Sequence, residues 1–316
     1  MIATSAPPQT SSAVAEQFER RCIELARRLT TLADKPEETA RATLAALWHL
    51  ACGDALSADA ALAEELPVLD ANREARLQEL LDRRLSGEPL PHITGRQRFC
   101  DLEMLAGPSA LIPRRETELL ARAAIAQLAT RSAAPRNTDG AATLVVLDAC
   151  TGSGNVAAAI AYHEPRATVW AADLSAEAVE LALLNVNHLK LQQRVQLRVG
   201  DLLSPFDEPG FHGRVDLITC NPPYISTQKL QTMPAEIVSF EPALAFDGGP
   251  LGVRILQRLM REAPQYLQRG GRLMFEVGLG QGKAVIKRLA GMREYESATP
   301  LQDAAGEIRV IAARRR

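Results

Sequence analysis

The sequence predicts an α/β protein: a small helical bundle, a β-hairpin linker, and then a mostly parallel sheet covered by helices on both faces. Two observations carry that prediction. From Thr143 onward, short β-branched apolar runs alternate with segments of helical spacing, the pattern of strands joined by crossover helices. Before residue 90, Ala, Leu, Arg and Glu dominate and apolar residues recur at helical intervals.

Residues 1–15 read as a disordered tail, without the basic and apolar regions of a secretory signal. Residues 16–90 form the helical domain: Leu44, Leu47 and Trp48, then Leu77, Leu80 and Leu81, lie on helix faces. Lys35-Pro36, Gly53-Asp54 and Leu66-Pro67 divide it into short helices, and Ser86-Gly87-Glu88-Pro89 closes the last. Residues 91–115 read as the hairpin linker, with β-leaning stretches at Arg98–Leu105 and Ala110–Ile112 on either side of Gly107-Pro108. Residues 116–316 form the α/β domain. It opens with a helix over Glu116–Thr130 and a polar surface connection over Arg131–Ala142. Its strands are Thr143–Leu147, Thr168–Ala172, Val195–Val199, Val215–Thr219 and Arg272–Val277, with helices at Asn155–His163, Ala176–Leu189 and Val253–Leu267.

Charge and composition exclude several classes. With 36 Lys+Arg against 38 Asp+Glu, the net charge of -2 rules out a protein that holds polyanions by bulk charge. Five cysteines (Cys22, Cys52, Cys100, Cys150, Cys220) without a C-x-x-C pair fit neither a disulfide framework nor a zinc module. The five histidines lack metal-ligand spacing, so no metal is expected. No segment approaches the roughly 20 apolar residues of a membrane span. The chain reads as soluble and cytoplasmic.

The first block that carries chemistry is Asp148-Ala149-Cys150-Thr151-Gly152-Ser153-Gly154, which follows a strand and opens a helix. Its glycines let backbone approach a nucleotide. Asp173 ends the next strand, where a carboxylate accepts hydrogen bonds from both ribose hydroxyls. Together they indicate an adenosine-type cofactor. Gly152-x-Gly154-x-x-Ala157 also satisfies the dinucleotide fingerprint, which keeps NAD in view. S-adenosyl-L-methionine (SAM), with S-adenosyl-L-homocysteine as product, is favoured by Asp201-Leu202 after the third strand, placed to meet the adenine edge. Asp148 adds a group for the methionine end, directly or through water, and no residue set for hydride transfer is evident.

The decisive block is Asn221-Pro222-Pro223-Tyr224 at the end of an apolar strand. Two prolines fix the backbone and remove two N–H donors, so the loop offers carbonyl acceptors; Asn221 adds another and Tyr224 a π face. A planar amide or aromatic amine has a delocalised lone pair, and methyl transfer requires that nitrogen to pyramidalise and align. Holding its N–H groups on Asn221 and a proline carbonyl does this by positioning, without a strong base. Asn221, Pro222 and Tyr224 are the candidate catalytic residues; with Pro223 they form the substrate clamp. Two acceptors remain open, the exocyclic amine of adenine and the side-chain amide of Gln or Asn.

From about Arg83 onward the sequence resembles the protein-glutamine N5-methyltransferases of the HemK or PrmC type. The resemblance rests on Arg83-Arg84-x-x-Gly87-Glu88-Pro89, Leu111–Glu118, Asp148–Gly154, Asn221–Ile225, Phe240-Glu241-Pro242-Ala243-Leu244, Glu276-Val277-Gly278 with Gln281, and Asp303-x-x-Gly306-x-x-Arg309, in that order. It implies a Rossmann-like class I SAM-dependent methyltransferase domain, with residues 150–154, Asp173, Asp201-Leu202 and Asn221 on SAM. It implies likewise that Asn221–Tyr224 hold a glutamine amide. The acceptor it points to is the Gln of the Gly-Gly-Gln loop of a peptide-chain release factor, recognised through the helical domain. Two positions depart from the pattern: Cys150 replaces a glycine and Arg115 a proline. Alternative acceptors are a small molecule, SAM itself as in a SAM-consuming cyclase, a ribosomal-protein glutamine, or adenine N6 of a nucleic acid, the last disfavoured by charge. Cys150, Cys220, Trp48 and Trp170 read as packing, Glu116 and Glu118 as helix N-terminal acids, and Arg314–Arg316 as a solvated end.

Overall fold

A computed structural model describes residues 10–32, 34–131, 143–230, 232 and 235–316. The chain divides into two compact units, residues 1–98 and 99–316.

The first unit is helical. Helix α1 (Thr10–Ala26) begins inside the expected tail, of which residues 1–9 lie outside the described residues. The reason is local: Val14 and Phe18, one turn apart, pack into the core, with Phe18 edge-on to Trp48 at 5.7 Å. Three helices follow with side-chain N-caps that satisfy orphan N–H groups: α2 (Ala40–Ala51) on Thr39, α3 (Ala58–Ala63) on Ser57 and α4 (Ala71–Leu85) on Asp70. Helix α5 (Leu90–Thr94) starts at Pro89 and stops at Gly95 in the left-handed conformation. Leu44, Leu47, Trp48, Leu77 and Leu80 fill the core, and the Trp48 indole donates to the Pro67 carbonyl at 2.8 Å.

Strands β1 (Arg96–Phe99) and β2 (Leu102–Leu105) form the hairpin, but its turn is not at Gly107-Pro108 and Ala110–Ile112 is not a strand. The chain reverses at Cys100-Asp101, with φ of 46° and 66°, the two consecutive positive values of a tight hairpin turn. Neither residue is a usual choice there. The Glu118 carboxylate accepts the Cys100 N–H at 2.9 Å and anchors the turn.

After β2 the second unit continues with a 3₁₀ turn (Arg115–Thr117) and α6 (Glu118–Ala129). The expected connection after Arg131 lies outside the described residues. Then come β3 (Leu144–Ala149), α7 (Asn155–His163), β4 (Ala167–Asp173), α8 (Ala176–His188), β5 (Val195–Val199), β6 (Val215–Cys220), α9 (Thr227–Leu230), α10 (Ala235–Phe240), α11 (Arg254–Tyr266), β7 (Leu267–Glu276), α12 (Gly282–Ala290), β8 (Tyr295–Gln302) and β9 (Ile308–Arg315). Among the described residues the sheet has the order β5-β4-β3-β6-β7-β9-β8; β9 runs antiparallel to β7 and to β8, and the other pairs are parallel. Both faces are covered, as the continuous apolar runs require. Leu144 and Val146 pack under Leu120, Val156 and Ile160, whereas Leu147 and Ala149 face Leu256, Leu259 and Met260. Asn221–Tyr224 and the 150–154 loop sit where the strand order reverses, between β3 and β6, the usual place for a ligand.

Strands β8 and β9 escape the sequence reading because β8, YESATPLQ, is polar and contains Pro300, which only an edge strand accommodates. Their pairing also adds order to the C-terminus, where Arg314 and Arg316 are exposed as expected of a solvated end. Arg314 and Arg315 belong to β9, Arg314 pairs with Glu296, and the Arg316 N–H donates to the Glu294 carbonyl at 3.0 Å.

Candidate active site

The cofactor half of the cleft is built from strand ends β3, β4 and β5. Asp173, the last residue of β4, accepts the Gly152 N–H on Oδ2 at 2.8 Å and the Ser175 N–H on Oδ1 at 3.0 Å. Each oxygen keeps a lone pair for a ribose hydroxyl. Gly152, at φ +54, faces open space, so its side of the loop is clear for a ligand. Gly154, at φ +78, serves packing instead: a Cβ there would meet Ala182 of α8 at 3.1 Å. Ser153 lines the cleft, is 1% exposed, and its hydroxyl oxygen has no partner among the described residues. A buried hydroxyl left open beside a carboxylate with spare lone pairs is the donor set an adenosine cofactor with a charged amino-acid end requires.

Asp148 lines the cleft and has a second part that spacing alone does not show. Its Oδ2 accepts from the Thr151 hydroxyl at 2.6 Å and its Oδ1 from Thr219 of β6 at 2.7 Å, so it braces the loop against the sheet. It is 1% exposed, and burial pushes its carboxyl up to about 6 against these hydrogen bonds. Asp201 lines the cleft with Leu202, and its carboxylate accepts from Arg258 Nη1 of α11 at 2.8 and 3.1 Å. Cys150 also lines the cleft and takes φ +55, which explains why glycine suits this position. Burial, then a contact with Cys150, holds the Cys220 thiol well above its ordinary value and so unreactive.

The acceptor half stands at the carboxyl ends of β6 and β7. Asn221 and Pro223 line the cleft; Pro222 is buried. Asn221 Nδ2 donates to Thr117 Oγ1 at 3.1 Å, and the Thr117 hydroxyl donates to Glu276 Oε2 at 2.8 Å. The Tyr224 hydroxyl donates to Glu276 Oε1 at 2.9 Å, and Arg309 Nη2 donates to Glu116 Oε1 at 2.8 Å. Glu276, with no exposed surface, is pushed up to about 7, first by burial and then by the nearby Glu116 charge, against the bonds it accepts. Burial and these same carboxylates hold the Tyr224 hydroxyl well above its ordinary value, protonated and donating.

Backbone packing sets the clamp. A Cβ on Gly248 would meet the Pro223 carbonyl at 2.6 Å, and one on Gly252 the Tyr224 carbonyl at 2.2 Å. Gln281 Nε2 donates to the Tyr224 carbonyl at 3.0 Å. On the opposite wall, Glu241 accepts the Ile112 N–H at 2.9 Å and Arg114 Nη2 at 2.6 Å, fastening the 111–114 segment to the 240–242 segment.

All the residues singled out in the sequence for cofactor and acceptor therefore belong to one region of the second unit, with Pro222 and Tyr224 set back from the cleft wall. Spacing could not reveal Thr117, Glu241, Arg258 or Gln281 as supports. Thr117, Glu241, Glu276, Gln281 and Arg309 belong to motif blocks, which was the available signal; Arg258 had none. Glu116 and Glu118 diverge, the first toward Tyr224 and Arg309, the second to the hairpin turn and Arg122. Among the described residues no cluster of His, Cys, Asp and Glu is arranged for a metal, and no helix is long and apolar enough to cross a membrane.

A doubly wound sheet with a glycine loop after β3, a ribose-type carboxylate after β4 and an Asn-Pro-Pro-Tyr clamp after β6 defines a class I, Rossmann-like SAM-dependent methyltransferase. Residues 135–251 match the family described as methyltransferase small domain, and residues 22–95 match the PrmC N-terminal domain. A protein named release factor glutamine methyltransferase from Moorella thermoacetica is 37% identical over 257 residues, 81% of this chain and 84% of that one. Its namesake from Geobacter sulfurreducens is 35% identical over 283 residues, 90% and 92% of the two chains. Among solved structures, the hMettl16 catalytic domain in complex with MAT2A 3′UTR hairpin 6 shares the fold, with a TM-score of 0.50 and 15% identity over 74% of this chain and 81% of that chain. The chain belongs to the family of release factor glutamine methyltransferases.

Proposed function

We propose that this chain methylates the side-chain amide nitrogen of a protein glutamine, the Gln of the Gly-Gly-Gln loop of a peptide-chain release factor. The observation that carries the reading is Asn221: it lines the cleft beside the glycine loop, and its NH2 is committed to Thr117, which leaves Oδ1 as an acceptor for an amide N–H. SAM supplies an electrophilic methyl group when bound and leaves as S-adenosyl-L-homocysteine. Asp173, Ser153, the 150–154 backbone and Asp201-Leu202 hold it. Asn221 Oδ1 and a proline carbonyl of the clamp accept the two N–H groups of the glutamine, turning its nitrogen lone pair toward the methyl group; as the N–CH3 bond forms and the S–CH3 bond breaks, the nitrogen gives up one proton to water. Pro222 and Pro223 present those carbonyls without competing donors, and Tyr224 stiffens the loop through Glu276.

The acceptor is supported by the names of the relatives, which align with most of this chain, and by the match of residues 22–95. In this reading the N-terminal unit recognises the release factor. The cytoplasm is the compartment that suits five free cysteines. The test is mass spectrometry of SAM incubated with the purified chain, with and without a release factor. Partner-dependent S-adenosylhomocysteine and a methylated Gly-Gly-Gln glutamine are expected. Methylthioadenosine without a partner would overturn the reading in favour of an enzyme that consumes SAM itself.

A further inference from the structure

Glu276 does not line the cleft, yet two clamp residues reach it, Tyr224 directly and Asn221 through Thr117. Thr117 has one hydroxyl proton, and an ionised Glu276 can only accept, so that proton goes to Glu276 Oε2. The Thr117 oxygen is then only an acceptor toward Asn221, and Asn221 must turn its NH2 to Thr117. This polarity follows from donor and acceptor counting and does not depend on which end of the amide is assigned as nitrogen. Among the described residues no hydrogen bond occupies Asn221 Oδ1. On the other oxygen, Glu276 takes the Tyr224 proton, and Tyr224 in turn accepts from Arg309 at 3.5 Å.

We infer that Glu276 and Thr117 are positioning residues that lock the Asn221 side-chain amide in the one orientation that accepts an N–H from the methyl acceptor. The inference rests on the acceptor being a primary amide, as proposed above. Its logic is directional. A protonated Glu276 is a donor; once it donates to Thr117, the Thr117 proton turns to Asn221, and the Asn221 amide rotates to offer NH2 to the cleft. Two donors then face each other and the clamp is lost. The charged and titratable groups facing Glu276 are Glu116 from the 3₁₀ turn, Tyr224 from the clamp loop and Arg309 from β9. Glu116 raises its affinity for a proton, and Arg309 and the Tyr224 bond lower it; with burial dominant, the carboxyl titrates at about 7, where the relay reads the ambient pH.

The experiment uses the full chain, SAM and a release factor. Thr117→Val removes the hydroxyl at nearly constant volume; kcat/KM for the release factor is expected to fall at least tenfold, with the Kd for SAM within twofold of wild type. Thr117→Ser restores the relay and recovers activity to within threefold. Wild-type kcat/KM falls as pH is lowered through about 7, because protonation removes the organising state, and Glu276→Gln flattens that limb. Wild-type activity in Thr117→Val, or an unchanged acid limb in Glu276→Gln, overturns the inference. A wild-type chain that leaves the glutamine unmodified refutes the acceptor rather than the relay. The relay is then read from the Asn221 side-chain amide resonances, which are expected to shift between pH 6 and 8 in wild type and not in Thr117→Val; a shift retained in Thr117→Val overturns it.

Discussion

The two halves of the cleft are assembled over different distances along the chain. On the cofactor side, the loop's own contacts, Asp148 to Thr151, Asp173 to Ser175 and Gly152 to Asp173, span 3, 2 and 21 residues, and the outer ties of Asp201 to Arg258 and Asp148 to Thr219 span 57 and 71. On the acceptor side, Tyr224 to Glu276, Asn221 to Thr117, Thr117 to Glu276 and Glu116 to Arg309 span 52, 104, 159 and 193 residues. The glycine loop itself is held by contacts within one strand, its following turn and the next strand. Orienting one amide requires the 3₁₀ turn, β6, β7 and the final strand together, and closing such loops costs entropy that only the packed sheet offsets. The acceptor site is therefore a product of the completed domain, whereas the cofactor loop is closer to a local motif.

The sharpest way to separate the halves is Asn221→Ala. Turnover with a release factor is expected to drop by about 10³-fold, as when one preorganised transition-state partner is removed, while SAM affinity measured by calorimetry stays within about threefold. Full retention of turnover would refute the clamp. Next comes Glu241→Ala, which leaves Arg114 buried without its carboxylate; the pair is 7% and 0% exposed. Unfolding free energy in urea should fall by about 3 kcal/mol, and an unchanged midpoint would show that this long-range tie is dispensable.

On the cofactor side, Asp173→Asn should weaken SAM by roughly 30-fold, about 2 kcal/mol, because the charged acceptor for loop and ribose is lost. At saturating SAM the turnover should recover; a persistent defect would mean that the halves are coupled after all. The smallest effect is expected for Cys150→Gly. Relief of a left-handed side-chain conformation should add about 0.5–1 kcal/mol of stability by thermal denaturation, with SAM affinity unchanged. A loss of stability would show that the thiol's packing against Cys220 outweighs the strain.

Legibility in the sequence follows the same division. Strand β5, Val195–Val199, and helix α7, Asn155–His163, could be read to the residue because periodicity and loop glycines are local signals. The Asp148–Gly154 loop, Asp173 and Asn221–Tyr224 stood out for the same reason. Strands β8 and β9 did not, since an edge strand carries polar residues and proline, and the hairpin turn at Cys100-Asp101 lacks the glycine or asparagine that would announce it. The brace on Asp148 was not legible either, because its position before the loop says nothing of Thr219, which reaches it across two strands paired Asp148 to Thr219.

By itself the sequence determined the fold class and the cofactor class and singled out Asn221–Tyr224 as the proposed clamp, because each is written in the spacing of neighbouring residues around a strand end. Only the tertiary structure decided what holds that clamp. Thr117, Glu276 and Arg309 acquire meaning from hydrogen-bond direction among buried groups, and direction depends on which donors and acceptors the folded sheet brings within 3 Å or so of one another.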